Sequence, residues 1–87
     1  DQASATIERA LRIEPKNPLL WQRLGYLHLQ NHRWQQAIAM AQKSNTLAGG
    51  NRQLMVTNWK IIARAKNKIG DEQGAKEAEK IIQTLEN

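Results

Sequence analysis

Trp21-Gln22-Arg23-Leu24-Gly25 sets an indole, a leucine and a glycine at offsets of three and four residues. Residues so spaced share one face of an α-helix. Trp59 stands ahead of Ile62-Ala63 in the same register, 38 residues after Trp21. Ala37 and Ala75, Leu24 and Ile62, and His32 and Gly70 keep that separation of 38, while Ala3 and Ala37, and Pro15 and Gly49, stand 34 apart. Self-similarity at such a period marks a repeat built of helix pairs. The difference of four residues is about one helical turn, and it fits as an extension near Arg52–Met55.

Working outward, two strong breaks punctuate the chain. Pro15 and Pro18 bracket Lys16-Asn17, which ends one helix and starts another with Asn17 as N-cap and Pro18 in the first turn. Gly49-Gly50-Asn51 does the same further on. Weaker turns fall at Asn31-His32-Arg33 and Gly70-Asp71. The spacing predicts five helices, over Gln2–Ile13, Pro18–Gln30, Trp34–Thr46, Arg52–Ile69 and Glu72–Leu85. Short connections make sequential helices antiparallel.

These residues resemble the tetratricopeptide repeat. Its signature of a Trp followed by Leu-Gly is met at Trp21, Leu24 and Gly25, its small packing residues at Ala37 and Ala41, its closing proline at Pro15. Trp34 takes the aromatic position opening the second helix of the pair, and the next unit repeats the pattern through Gly70-Asp71 and Ala75. Departures are His28 for the usual Tyr, Gly49 for the second closing Pro, and Ala63 for the Gly. The resemblance implies an all-α fold, a right-handed solenoid of about five antiparallel helices. One domain over residues 1–87 is expected: a half repeat at 1–15 (the second helix of a pair), a repeat at 16–50, and a repeat at 51–87 with one extra turn and a C-terminal cap. Trp21, Leu24, Gly25, Trp34, Ala37, Trp59, Ile62 and Ala75 are expected to build the packed interior, the indoles supplying area to a chain without Phe.

Composition excludes much. A chain of 87 residues buries roughly 60–65% of its unfolded surface, too little to spare a deep catalytic cavity. There is no Cys for disulfides or thiolate metal sites. His28 and His32 are four apart but lack a third ligand, and no phosphate-loop Lys-Ser/Thr follows Gly49-Gly50. The expectation is a protein without catalytic residues, metal, cofactor or small-molecule substrate. The abrupt start at Asp1-Gln2-Ala3 suggests a domain excised from a longer protein, parted from any targeting segment.

The net charge is +5, and it is segregated. From Pro15 to Gly70 the chain carries Lys16, Arg23, Arg33, Lys43, Arg52, Lys60, Arg64, Lys66 and Lys68 without one acid. All eight acids lie outside: Asp1, Glu8, Glu14, Asp71, Glu72, Glu77, Glu79 and Glu86. Such a field draws an acidic protein surface, a nucleic acid or anionic lipid, or it serves solubility alone. First helices of successive pairs line the inner face of such solenoids. Leu19, Gln22, Tyr26, Leu29 and Gln30, then Thr57, Lys60, Arg64, Asn67 and Lys68, are expected there. Lys60, Arg64 and Lys68 fall in one row, at i, i+4 and i+8. Arg23, Tyr26, Lys60, Arg64 and Lys68 are the expected partner contacts.

The block from Lys43 to Arg52, with Asn58-Trp59-Lys60-Ile61-Ile62-Ala63 after it, is similar to the C-terminal domain of LpoP-type proteobacterial outer-membrane lipoproteins. That resemblance implies a periplasmic domain on a lipid anchor and linker, whose partner is a class A penicillin-binding protein, a bifunctional peptidoglycan synthase that it stimulates. A generic adaptor for an acidic peptide, cytoplasmic or otherwise, is the alternative, along with a spacer within a longer array. A nucleic-acid binder would use the same field, but the aromatics are committed to packing, so no nucleic acid is expected.

Overall fold

The computed structural model describes all of residues 1–87. It is 82% helical, without strands, in five helices: α1 (Gln2–Ile13), α2 (Pro18–Gln30), α3 (Trp34–Leu47), α4 (Arg52–Lys68) and α5 (Glu72–Glu86). Local chemistry explains the ends. Asn17 accepts from the Leu19 amide, Asn51 from Leu54 and Asp71 from Gly74, each quieting an otherwise unpaired donor of a first turn. Pro18 enters α2 where its missing N–H costs nothing. Only the last three helices differ from the expected bounds, by one residue each. Ile69, for example, serves as the C-cap of α4 rather than as its last turn.

Two turns close in the same way. The amide of Arg33 donates to the His28 carbonyl (2.9 Å), and that of Asp71 to the Lys66 carbonyl (2.8 Å). Inside each, His32 donates to Leu29 and Gly70 to Asn67. This is the Schellman arrangement, which needs a left-handed residue after the cap. Gly70 supplies it at φ 85°, and His32 supplies it at φ 60°.

Packing follows chain order. α2 contacts α1, α3 and α4, and α4 contacts α3 and α5. α1 meets neither α4 nor α5, and the molecule measures 34 × 29 × 13 Å, so the helices form an open slab rather than a closed bundle. The fold is tetratricopeptide-like. α2 and α4 start 34 residues apart and end 38 apart, so α4 holds the extra turn at its beginning. Positions 38 apart take matching places in the core: Leu24 and Ile62, Ala37 and Ala75 are all nearly or wholly inaccessible. At Gly25 the α2 backbone lies so close to α3 that an added Cβ would stand 3.3 Å from both the Ala37 carbonyl oxygen and the Ala41 amide nitrogen.

A buried polar link ties three helices. Asn58 of α4, wholly inaccessible, donates from Nδ2 to Ser44 Oγ of α3 (2.8 Å) and to Asn45 Oδ1 (3.0 Å). Ser44 in turn donates to the Pro18 carbonyl of α2 (2.7 Å). Asn58 lies on the same stripe as Leu54, Ile61, Ile62 and Ala65, so its partners must be protein groups rather than solvent.

Gly25→Val should lower stability by about 1–3 kcal/mol, because neither α3 backbone atom can retreat without moving the helix. Asn58→Ala should cost about 1–3 kcal/mol by leaving Asn45 Oδ1 without this donor. Chemical denaturation of each variant checks both.

Candidate protein-binding hollow

On one face of the slab, the C-terminal halves of α2 and α4 flank a shallow hollow of about 350 Å³. Tyr26, Leu29 and Gln30 come from α2, Arg64 and Lys68 from α4, and His32 and Trp34 from the α2–α3 turn and the start of α3. The i, i+4 offset puts Arg64 and Lys68 on one side of α4. Trp34 is half-buried against the core, and His32 stacks on it with ring centroids 5.0 Å apart and planes inclined by 22°. The result is a two-ring ledge beside two cations.

Those cations are uncompensated. The single ion pair within 4.0 Å joins Lys60 to Glu86, so Arg64 and Lys68 meet no carboxylate. Three of the expected contacts, Tyr26, Arg64 and Lys68, therefore converge on the hollow. Arg23 is exposed on α2 outside it, and Lys60, whose ammonium stands 4.0 Å from the Glu86 carboxylate of α5, does not line it. Leu19, Gln22, Thr57 and Asn67 do not line it either.

The indoles require a correction. They were expected to vanish into the interior, yet Trp21, Trp34 and Trp59 are each only half-buried. Trp34 and Trp59 pack against the core without being enclosed by it. Trp34 shows its outer part to the hollow. Trp21 donates from Nε1 to the Pro15 carbonyl (2.8 Å), and the Lys43 ammonium lies 5.9 Å above its ring. His32, which the sequence places in a turn and pairs with His28 at helical spacing, lines the hollow without having been among the expected contacts. Its registration with Gly70 was the available signal.

A second hollow, of about 540 Å³, lies between α1, α2 and α3 over Leu11, Trp21, Leu24 and Met40, with Glu8, Arg12 and His28 among its polar residues. His28 accepts a hydrogen bond at Nδ1 from Arg33 Nε (2.9 Å). The two histidines thus line different hollows and do not converge.

Two comparisons bear on this arrangement. The tetratricopeptide-repeat family model matches residues 6–39, spanning most of α1, all of α2 and the start of α3. The globular C-terminal domain of LpoP from P. aeruginosa superposes with a TM-score of 0.90 at 34% sequence identity, over 94% of this chain and 77% of that one. The chain belongs to the LpoP C-terminal-domain family of tetratricopeptide-repeat proteins. No curated protein matches the sequence. Tetratricopeptide repeats and LpoP-like domains are folds of protein interaction, so this chain is a protein-interaction module. None of its helices is long and apolar enough to cross a membrane.

Partial burial and the neighbouring Arg33 charge hold the His28 pKa below its ordinary 6.5, with Glu8 opposing them. The folded chain therefore takes up this proton less readily than the unfolded one. The stabilising contribution is complete above 6.5 and is lost as pH falls from there toward the lowered value. His28→Gln, which keeps an acceptor for Arg33, should flatten the fall of the thermal midpoint between about pH 7.5 and 5. Melting curves of both proteins across that range check it.

Proposed function

We propose that this domain is a non-catalytic docking module that receives an acidic segment of a partner protein in the Tyr26–Trp34–Arg64–Lys68 hollow. The observation that carries the reading is the pair of uncompensated cations, Arg64 and Lys68, beside the His32–Trp34 ledge. An incoming carboxylate would gain charge-assisted hydrogen bonds there without displacing an internal partner. Arg23 and Lys60, standing outside the hollow, add to the field that steers the partner inward. The chain is one domain: a half repeat over 1–15 and repeats over 16–50 and 51–87, the acidic last helix serving as a cap.

We further propose, from the kinship with the LpoP domain, that the partner is a class A penicillin-binding protein and that docking stimulates its peptidoglycan synthesis. The full-length protein would then work in the periplasm, reaching the synthase on a linker from a lipid anchor in the outer membrane. No group in the hollow performs chemistry in this reading. Stimulation arises by linkage, the domain holding the active conformation of the synthase more tightly than the inactive one.

Arg64→Glu/Lys68→Glu should weaken binding to the synthase by ~10–100-fold at low salt, chiefly through slower association. Stimulation of glycan polymerisation should fall with it. Wild-type affinity should drop as salt is raised, and the double variant should lose most of that dependence. Unchanged affinity and stimulation would remove the hollow from the account.

A further inference from the structure

The two Schellman turns differ where chain conformation makes the difference costly. Both need a residue with positive φ, and the second repeat uses Gly70, which adopts it freely. The first repeat uses His32, whose Cβ makes the same conformation uncommon and strained. Backbone strain held against a freely available alternative points to a side chain retained for use. What that side chain does is visible. It lies flat on Trp34 and lines the hollow, whereas the corresponding places in the second repeat, Gly70 and Glu72, offer no ring at all.

We infer that His32 is a specificity-determining residue of the hollow, whose stacked ring with Trp34 receives an aromatic side chain flanked by the carboxylates that Arg64 and Lys68 hold. The inference rests on the acidic-partner reading above and narrows it. The occupant is an internal protein segment in which an aromatic residue stands among acids. Each half of the hollow suits one half of that segment. The cations have no carboxylate of their own, and Tyr26 (46% exposed) stands among the lining residues with the ledge, where an incoming ring would meet aromatic surface. Such ring pairs prefer offset or edge contacts, which an open hollow of about 350 Å³ admits.

The test uses two acetylated, C-amidated peptides of four glutamates around one central residue, tryptophan in one and alanine in the other. Binding is followed by the NMR shift of the Trp34 indole N–H. The wild-type domain should bind the tryptophan peptide about three- to tenfold more tightly than the alanine peptide. His32→Gly should bring the ratio of the two affinities to about one. Its unfolding midpoint should hold or rise by a few degrees, since glycine relieves the strained turn. Equal affinity of the wild type for both peptides, or a preference that survives His32→Gly, would overturn the assignment. A lowered midpoint would overturn it too, by giving His32 a structural role. Failure of either peptide to bind at millimolar concentration would carry away the acidic-partner reading as well, which separates the two failures.

Discussion

The approach of α2 to α3 at Gly25 governs the rest of the molecule. With no Cβ between them, the α2 backbone settles against the Ala37 carbonyl and the Ala41 amide, and both alanines become wholly inaccessible. Two helices so close must be joined by an abrupt reversal, and the α2–α3 turn provides one in three residues, Asn31 to Arg33. That reversal demands a left-handed residue, which is why His32 sits as it does and why Trp34 follows at once at the head of α3. The hollow is thus a by-product of close packing, placed where a tight turn meets the end of the next repeat's first helix.

Polarity in the core is arranged with the same economy. Small alanines let helices approach but bury little area, so register between α2, α3 and α4 rests partly on the Pro18–Ser44–Asn58 chain of hydrogen bonds. A sliding error by one turn would leave the Asn58 Nδ2 donor buried without its Ser44 and Asn45 acceptors, a penalty that opposes the slip. Directional bonds here add to the packing of Leu29, Ile38, Ile61 and Ile62 in fixing the register.

Much of the architecture was legible because it is written in local signals. Pro18, Asn17, Gly49 and Asn51 mark helix ends irrespective of tertiary context, and the separations of 34 and 38 residues expose the repeat. The site was legible only in part. Periodicity places Arg64 and Lys68 on one side of α4, but it does not reveal that Lys60, in the same row, lies outside the hollow and near Glu86 at the far end of the chain. Nor does it set the depth of burial of an indole, which depends on how the helices assemble around it. Asn58 could have been noticed as a polar residue on an apolar stripe. Its partners Ser44 and Asn45 could not, since side-chain pairing across a turn follows from the packed geometry.

The largely serial packing of the helices, with α2 against α4 as the one exception, also shapes how the molecule comes apart. Because α1 touches α2 alone, it can peel away without disturbing the Ser44–Asn58 link or the Gly25 seam, taking one wall of the second hollow with it. Stability in such a stack is carried by nearest neighbours, so fraying begins at a terminal helix and stops where the interfaces are densest. Contacts made mostly between consecutive helices are also short in sequence, and chains of that kind find their native pairing on the microsecond-to-millisecond scale. A domain meant to present one stiff face to a large partner can therefore afford soft extremities, provided the α2–α3–α4 centre stays whole.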